Sequence, residues 1–260
     1  MNGTRSVLVG EAAAPRIEGM SESRIALVTG ANKGIGYEIA AGLAARGFSV
    51  GVGARDDGRR DAAVAKLRAG GADAFGVPLD VTDDESVRGA AALIETERGR
   101  LDVLVNNAAI TGGWHQAPCE TDLAIVREVV ETNVLGVMRV TDAMLPLLRR
   151  SPSGRIVNMS SEVGSLTRQI DPAIDSGPAS MAYAPSKSFL NAITIQYAKA
   201  LRDSGIAVNA VNPGFVATDL NGHRGHLTPE QGAAVAIRLA TQPDGWPTGG
   251  FFEDAGVVPW

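Results

Sequence analysis

Residues 25–36 read IALVTGANKGIG, and this stretch decides the fold. Four apolar residues and a threonine lead directly into a segment in which Gly30, Gly34 and Gly36 recur, and an Ala-rich segment follows. Glycines at such a junction allow a tight turn and a close approach of backbone N–H groups to a phosphate, and the N-terminus of the next helix favours negative charge. The stretch therefore predicts a strand, a dinucleotide-binding turn and a helix, although a plain tight turn would use the same glycines.

Short apolar runs alternate along the rest of the chain with Ala-rich or amphipathic segments. Strands buried on both faces have this composition, and helices between them imply a parallel sheet. The predicted strands are IALVT 25–29, VGVGA 50–54, AFGVPL 74–79, LDVLVN 101–106, RIVNMS 155–160 and IAVNAVN 206–212. The predicted helices cover 34–46, 59–69, 84–98, 121–149 with an interruption, 180–203 and 228–240. The pattern predicts an α/β fold, a single-domain Rossmann-type doubly wound parallel sheet.

Composition and charge favour a globular protein with a small-molecule partner. The chain has 260 residues, of which 45% are hydrophobic and 20% charged, so it can bury a sizeable core. Its formal net charge is −5 and it has no Lys/Arg-rich run, which argues against a nucleic-acid partner. Cys119 is the only cysteine, so an intrachain disulfide and cysteine-cluster zinc sites are excluded, and no metal site is expected. A cytoplasmic location is compatible with that.

The start of the chain differs from the rest. Residues 1–22 contain an apolar stretch that is too short and too interrupted for a signal peptide, and no run in the sequence approaches the ~20 apolar residues of a membrane span. We therefore expect residues 1–22 to be a flexible N-terminal extension and residues 23–260 to form the domain, without a membrane partner. Met20 could also be the true start.

Two basic side chains indicate the preferred nucleotide. Lys33 lies within the glycine loop, and Arg55 ends the second predicted strand in GVGARDD. An arginine at this position accommodates the 2′-phosphate of NADP, whereas a carboxylate usually binds the ribose 2′-hydroxyl of NAD. NADP(H) is therefore favoured over NAD(H). Asp56, next to Arg55, leaves the opposite preference open, and both cations could be solvated surface charges.

From about residue 24 onward, the chain resembles the compact branch of the short-chain dehydrogenase/reductase family. The glycine loop reads T-G-x-x-x-G-x-G, as in that branch. The remaining motifs follow in the family's order: Asp80 in LDVTD, NNAA at 106–109, Asn133 in NVLG, the serines of NMSS, Tyr183-x-x-x-Lys187, and NPGFVATD at 212–219. Ala109 stands where the family usually has glycine, which puts a close backbone contact in doubt.

The resemblance implies a set of residues that contact the cofactor. This set consists of Gly30, Asn32, Lys33, Gly34, Ile35, Gly36, Arg55, Asp80, Val81, Asn106, Ala108, Tyr183, Lys187, Pro213, Gly214, Val216 and Thr218. Asp80 would approach the adenine, and the turn around Pro213 would flank the nicotinamide. Local roles stay open for several members, because Asp80 and Asn106 could make only loop or strand-end hydrogen bonds and the turn could be an ordinary one.

Tyr183 and Lys187 are the candidate proton-transfer pair. Side chains four residues apart on a helix share a face, and a nearby ammonium favours phenolate, so Lys187 is expected to lower the pKa of Tyr183. Pro185 is tolerated only near the first turn of a helix, which predicts that Tyr183 lies at a helix start.

The resemblance implies the other roles in the site. Ser161 would hydrogen-bond the carbonyl oxygen of the substrate, with Ser160 as the lesser candidate. Asn133 would hold a water or a helix geometry that connects Lys187 to proton exchange, although a capping or interhelical role is the alternative. No chemistry is expected of the three histidines, His115, His223 and His226.

The implied function is that of a carbonyl-reductase-like enzyme, which uses NADPH to reduce a ketone, aldehyde or quinone with Tyr183 as proton donor. A 3-oxoacyl reductase or a hydroxysteroid-type dehydrogenase would use the same chemistry, and a non-catalytic NADP(H)-sensing module is a third alternative. Residues 162–182 form a longer segment before the tyrosine than is usual in the compact family. This segment resembles the insertion of monomeric carbonyl reductases, but it is shorter than that insertion. A monomer and a homo-oligomer both stay open.

The chain ending TGGFFEDAGVVPW, residues 248–260, also resembles the carbonyl-reductase-like subgroup. Its aromatic residues, Phe251, Phe252 and Trp260, could line the substrate pocket or pack in the core. Large aromatic side chains usually bury most of their surface in the core, so packing is the expected role.

Overall fold

The computed structural model of the protein describes residues 23–113, 116–175, 177–243, 245 and 247–260. The strands in this part of the chain are β1 (Ile25–Thr29), β2 (Ser49–Ala54), β3 (Ala74–Pro78), β4 (Val103–Asn106), β5 (Arg155–Met159), β6 (Ala207–Val211), β7 (Phe251–Glu253) and β8 (Gly256–Val257). They form one sheet with the order β3-β2-β1-β4-β5-β6-β7-β8. The expected N-terminal extension, residues 1–22, lies outside the described residues.

Helices connect the strands. The α-helices of the described residues are α1 (Gly34–Ala44), α2 (Asp57–Ala69), α3 (Asp84–Arg98), α4 (Leu123–Val130), α5 (Gly136–Leu148), α6 (Leu166–Gln169), α7 (Tyr183–Ala200) and α8 (Pro229–Thr241). A π-helical turn, Glu131–Leu135, joins α4 to α5 and is the interruption expected within 121–149. None of the helices in the described ranges combines the length and the apolar character that crossing a bilayer requires.

The sheet is parallel from β3 to β7, and its strand order reverses at β1. β1 pairs with β2 on one side and with β4 on the other, so the crossovers run in opposite directions from this point. The doubly wound prediction is confirmed. The sequence did not indicate β7 or the antiparallel pairing of β7 with β8. In an open sheet of this kind, ligands bind where the order reverses, beyond the carboxyl ends of the strands.

Helices cover both faces of the sheet. Helices α1, α2 and α8 pack on one face through residues such as Leu43 and Leu67, and α3, α5 and α7 pack on the other through residues such as Ile94 and Met144. Every residue of β1, β2, β4 and β5 is buried, which explains why their sequences are almost continuously apolar. Each large side chain buried in this way contributes about 1.5–3 kcal/mol.

The C-terminal aromatic residues pack in the core, as expected. Phe251 is fully buried and its ring stacks on Trp260, with centroids 5.4 Å apart, while Phe252 is 8% exposed and belongs to the core under α8. These contacts place the last strands against the sheet, so the aromatic residues act as structural rather than pocket-lining groups.

The segment between Ser161 and Tyr183 is fastened to this C-terminal region. The guanidinium of Arg168 donates two hydrogen bonds to the carboxylate of Glu253, at 2.8 and 2.7 Å, and the Ser165 hydroxyl donates to the carbonyl of Pro259 at 2.6 Å. The two prolines and the glycine of residues 167–180 predict a loop, and this prediction is partly wrong, because the segment begins within the short helix α6.

Candidate active site

A cleft of about 570 Å³ opens beyond the carboxyl ends of β1, β2 and β4, where the strand order reverses. Most of the predicted cofactor residues line it: Gly30, Asn32, Lys33, Gly34, Ile35, Gly36, Arg55, Asp80, Val81, Ala108 and Thr218. The other predicted residues lie outside its lining: Asn106, Tyr183, Lys187, Pro213, Gly214 and Val216. The predicted cofactor set did not include several residues that line it, among them Asp56, Arg59, Asn107, Thr132, Asp219 and His223.

The glycine loop and the first turn of α1 line this cleft. Gly30 and Gly34 have φ of +63° and +58°, a conformation that favours glycine. The N-cap of α1 is Lys33, whose side chain makes no capping hydrogen bond, and the first turn of α1 carries no acidic residue. The N–H groups of the first turn therefore have no side-chain partner and, with the helix dipole, suit a phosphate group. This donor set fits the pyrophosphate of a dinucleotide.

Gly36 packs against the end of β1 with no room for a side chain. A Cβ at this position would lie 2.5 Å from the Gly30 carbonyl oxygen and 2.5 Å from Nδ2 of Asn107. We expect Gly36→Ala to displace the loop, to lower the affinity for NADPH about tenfold and to lower the free energy of unfolding by about 1–3 kcal/mol. Fluorescence titration and denaturant unfolding would measure the two effects.

Gly89→Ala is the matched control for this substitution. Gly89 lies within α3, and a Cβ there would meet nothing within 4 Å. Alanine is favoured over glycine within a helix by about 0.5–1 kcal/mol, so this variant should be slightly more stable and bind NADPH as the wild type does. Equal NADPH affinity in Gly36→Ala and Gly89→Ala would contradict the prediction.

Asn107 joins the ends of β1 and β4. Its Nδ2 donates to the carbonyl oxygens of Thr29 and Gly30, at 2.9 and 3.2 Å, and the Thr29 hydroxyl accepts from the backbone N–H groups of Asn107 and Ala108, both at 2.9 Å. Ala109 does not have a positive φ, so its backbone does not require the usual glycine.

Asn106 lies in the core rather than in the cleft. Its side chain is 3% exposed and donates to Thr141 Oγ1 at 3.1 Å and to Asn158 Oδ1 at 2.9 Å. These contacts match the local role, hydrogen bonding at a strand end, that the sequence left open for Asn106. Successive side chains of a strand point to opposite faces, but both faces of this sheet are covered by helices, so alternation alone could not have identified Asn107 as the lining residue.

Arg55 and Arg59 form the basic wall of the cleft, and the acidic residue Asp56 lines the cleft beside them. The Asp56 carboxylate is the N-cap of α2, where it accepts from the backbone N–H of Arg59 at 2.9 Å. The Arg59 guanidinium is 3.8 Å from the same carboxylate. The acidic residue that left the NAD(H) preference open is thus used in capping a helix, while Arg55 stays exposed at the cleft.

Lys33 is paired across the mouth of the cleft. Its ammonium donates a hydrogen bond to Asp219, and the same carboxylate lies 2.8 Å from Nε2 of His223. This contact joins the glycine loop to the segment that follows β6. His223, for which the sequence suggested no chemistry, is therefore part of the cleft wall, while the ring of His226 packs on Phe215 with centroids 6.0 Å apart. His115 lies outside the described residues.

Asp80 lies in the lining of the cleft and also makes the local hydrogen bonds that the sequence left open. It lines the cleft, and its Oδ1 accepts from the backbone N–H and the hydroxyl of Thr82, at 2.9 and 2.7 Å. Burial raises the pKa of Asp80, but these hydrogen bonds and the charges of Arg55 and Arg139 outweigh it and hold the pKa below its ordinary value. The carboxylate is therefore ionised beside the basic wall.

The segment that follows β6 turns at Gly214, as the sequence suggested. Gly214 has a φ of +77°, and its N–H donates to Asn212 Oδ1 at 3.0 Å. Val216 is 4% exposed and packs away from the cleft, whereas Thr218 reaches its lining. Of this motif, Ala217, Thr218 and Asp219 line the cleft.

Tyr183 is the first residue of α7, as Pro185 predicted. The Lys187 ammonium lies 5.5 Å from the centre of the Tyr183 ring and donates to the Met159 carbonyl at 2.7 Å. The Ser161 hydroxyl lies near the phenol, where hydrogen bonding to the phenolate would lower the pKa of Tyr183. Three groups from β5, the segment after it and α7 therefore meet at the carboxyl end of the sheet.

The two neighbouring serines are not equivalent. Ser160 is 3% exposed, and its hydroxyl donates to Asn191 Oδ1 at 2.6 Å. Ser161 is partly exposed, and its hydroxyl faces Tyr183. The geometry thus favours Ser161 over Ser160 as the group that could meet a substrate oxygen.

The pKa of Tyr183 differs from the sequence-based expectation. Burial raises it to about 12, which outweighs the hydrogen bond from Ser161, and burial lowers the pKa of Lys187 to about 8. The expectation of a lowered phenol pKa was wrong, because burial outweighs the groups that favour phenolate and the Lys187 ammonium is directed at the Met159 carbonyl. At neutral pH the phenol keeps its proton and Lys187 is largely cationic.

Asn133 connects the cleft to α7. It lies in the π-helical turn and is 1% exposed. Its Nδ2 donates to the Ile110 carbonyl at 2.9 Å and to Ser186 Oγ at 3.0 Å, and its Oδ1 accepts from the Ile110 N–H at 2.9 Å. Since Ile110 lines the cleft, Asn133 holds the segment after β4 against α7, which is the interhelical role left open above. In the described ranges no group of three acidic, histidine or cysteine residues could hold a metal ion.

Comparison with known proteins gives a consistent picture. The family model described as short chain dehydrogenase matches residues 24–227. Short-chain dehydrogenase/reductase 1 of Saponaria officinalis is 33% identical, over 93% of this chain and 97% of its own length. Carbonyl reductase [NADPH] 1 of Sus scrofa is 34% identical, over 92% and 95% respectively. The structure of NADPH-bound carbonyl reductase from chicken fatty liver matches with a TM-score of 0.82 at 29% identity, covering 92% of this chain and all of that one.

Proposed function

The chain belongs to the short-chain dehydrogenase family, and we propose that it is an NADPH-dependent oxidoreductase that reduces the carbonyl group of a ketone, aldehyde or quinone to an alcohol. The observation that carries the proposal is the meeting of a protonated phenol, a serine hydroxyl and a buried ammonium next to a cleft with a glycine loop and two arginines. The carbonyl reductases among its relatives support the same chemistry.

Each group of the site has one role in this reaction. When bound, the reduced nicotinamide supplies the hydride to the carbonyl carbon. Tyr183 donates its proton to the carbonyl oxygen, and the Ser161 hydroxyl donates a hydrogen bond to that oxygen while negative charge develops on it. The Lys187 ammonium then stabilises the phenolate that Tyr183 becomes. Asn133 holds the segment after β4 against α7 through its hydrogen bonds to Ile110 and Ser186.

The cofactor would be held along the cleft from end to end. The glycine loop and the start of α1 suit the pyrophosphate, while Arg55 and Lys33 suit the 2′-phosphate that distinguishes NADP(H) from NAD(H). Arg59, which also lines this end of the cleft, could assist Arg55. Asp80 and Val81 would border the adenine, and Thr218 the nicotinamide end.

The proposal is tested by NADPH oxidation with a panel of aldehydes, ketones and quinones, followed by identification of the alcohol products. We expect turnover with NADPH, and slower turnover with NADH. A 3-oxoacyl thioester and an oxosteroid belong in the same panel, because their exclusive reduction would favour the alternative enzyme classes. NADPH binding without turnover of any carbonyl would instead favour a cofactor-sensing module.

The pH dependence of carbonyl reduction should follow the ionisation of Lys187. Its pKa is lowered to about 8, so the ammonium is present below that pH and is lost as the pH rises through it, while the phenol of Tyr183 keeps its proton throughout. We therefore expect kcat/KM to be level near neutrality and to fall as the pH rises above about 8. Initial rates at constant ionic strength would measure the profile.

Lys187→Arg is the control for the pH profile. The guanidinium stays charged at every accessible pH, so any residual activity of this variant should lose the alkaline fall. An unchanged alkaline fall in the arginine variant, or a fall toward acid pH in the wild type, would contradict the assignment to Lys187.

We further propose a cytoplasmic location and a small-molecule partner rather than nucleic acid. The proposal is supported by the single cysteine, Cys119, and by the formal net charge of −5, which gives no electrostatic advantage for binding a polyanion. Fractionation of cells that express the tagged chain would test the location.

A further inference from the structure

We propose that Gln116 is a positioning residue for Tyr183, joining the two loops on either side of the active site through one buried amide. This inference rests on the proposed function, because it concerns the proton donor of that reaction. The sequence motifs do not include Gln116, and its side chain does not line the cleft.

The start of α7 lacks an ordinary cap. Its N-cap residue is Ala182, which has no side chain able to accept a hydrogen bond, so the first N–H groups of the helix need an acceptor from elsewhere. The N–H of Tyr183 donates to Oε1 of Gln116 at 3.0 Å and to Oγ of Ser180 at 3.1 Å. The Ser180 hydroxyl donates to the same Oε1 at 2.5 Å. A residue 67 positions away in the chain thus completes the cap.

The other half of the same amide holds the loop that follows β4. Nε2 of Gln116 donates to the carbonyl oxygens of Thr111 and Gly113, at 2.5 and 2.7 Å. The backbone carbonyl of Gln116 also accepts from the N–H of Met181 at 2.9 Å. Gln116 is 3% exposed, so these bonds are made away from water, where the loss of a partner is costly.

These contacts make the position of Tyr183 depend on the loop after β4. The neighbouring residue Ile110 lines the cleft and is bonded to Asn133, which reaches Ser186 on α7. The loop is therefore attached to α7 at two points, through Asn133 at the second turn and through Gln116 at the first residue. The attachment through Gln116 holds the backbone N–H of Tyr183, the residue that donates the proton.

The test compares Gln116→Met with the wild type. Methionine has the same length and no hydrogen-bonding amide, so Tyr183 would lose its acceptor and the loop would lose its donor. We expect kcat for carbonyl reduction to fall about 10- to 100-fold, because small displacements of reacting groups are costly, while KM for NADPH changes less than about twofold. An unchanged kcat would overturn the proposal.

Asn209→Leu is the matched control for loss of a buried amide. Asn209 lies in the middle of β6 and is 4% exposed, and its side chain donates to the Pro247 carbonyl and accepts from the Gly250 N–H, both at 2.9 Å. We expect this variant to lose thermal stability but to keep kcat within about twofold of wild type. Equal losses of kcat in Asn209→Leu and Gln116→Met would overturn the proposal, because the effect would then be one of general stability.

Ser180→Ala provides a second variant in case Gln116→Met does not fold. The Ser180 hydroxyl acts on the same N–H, so Ser180→Ala alone should lower kcat with KM for NADPH unchanged, and an unchanged kcat would count against the proposal. In the double variant the fall in kcat should be smaller than the product of the two single effects, because both groups belong to one cap. Multiplicative losses would overturn the shared role.

Tyr183→Phe, assayed in parallel, separates this inference from the proposed function. Full activity of Tyr183→Phe would contradict the proposed reaction itself. Loss of activity in Tyr183→Phe together with full activity in Gln116→Met would contradict only the positioning role.

Discussion

Tyr183→Phe should reduce kcat/KM for carbonyl reduction by about 10²- to 10⁴-fold, the range typical of a lost general acid. The phenol is the proton donor proposed for the alkoxide oxygen, and phenylalanine keeps the ring while removing that proton. NADPH affinity should change little, because the ring and Lys187 stay in place. Initial rates and a fluorescence titration of NADPH would measure the two quantities.

Tyr197→Phe is the matched control for this substitution. Tyr197 lies on the same helix, and its hydroxyl donates to Asp142 Oδ1 at 2.7 Å, away from the groups around Ser161. Its loss should leave kcat/KM within about twofold of wild type. If Tyr183→Phe and Tyr197→Phe had the same activity, Tyr183 would not be the acid.

Removal of the two predicted phosphate-binding cations should have the second-largest effect. A hydrogen bond to a charged group contributes about 1.5–3 kcal/mol, and about 1.4 kcal/mol corresponds to a factor of ten. Two such bonds amount to about 3–6 kcal/mol, and the lower half of this range applies because Lys33 gives up its ion pair with Asp219. The double variant Lys33→Met/Arg55→Met should therefore lose about 10²- to 10³-fold in kcat/KM for NADPH, with little change for NADH. The ratio of kcat/KM for NADPH to kcat/KM for NADH isolates the contribution of the 2′-phosphate, because the two cofactors differ only in that group.

The two single variants should not be equal. Lys33 already has a partner in Asp219, so moving its ammonium to a phosphate gives up one ion pair for another. Arg55→Met should therefore lower kcat/KM for NADPH more than Lys33→Met does.

Arg46→Met is the control, since Arg46 lies just beyond the far end of α1 and donates to the Gly42 carbonyl at 2.8 Å. An unchanged NADPH-to-NADH ratio in the double variant would contradict the cofactor assignment.

The six strands expected from apolar runs are present in the structure, with boundaries shifted by a few residues at most. These elements could be predicted because their signal is local: a strand buried on both faces must be apolar along its whole length. The pair β7 and β8 could not, because Phe251–Glu253 and Gly256–Val257 are too short to show a period and form only by pairing with β6 and with each other.

The features of the site also fall into two groups, those that local sequence predicts and those that depend on contacts between distant residues. The spacing of Tyr183 and Lys187 and the glycines of the loop are local features, and their placement follows from helix and turn geometry. The choice between Asn106 and Asn107, the pairing of Lys33 with Asp219, and the cap that Gln116 provides for Tyr183 all join residues far apart in the chain. No local pattern reports such contacts.

The sequence by itself determined the alternation of strands and helices, the conformation of the glycine loop and the shared face of Tyr183 and Lys187, because each depends on residues within a few positions. Only the tertiary structure decided which polar atoms meet and which lose water. It directed the Lys187 ammonium to the Met159 carbonyl and raised the pKa of Tyr183 to about 12, opposite to the effect expected from a neighbouring cation. Burial depends on the whole fold, and spacing along the chain carries no measure of it.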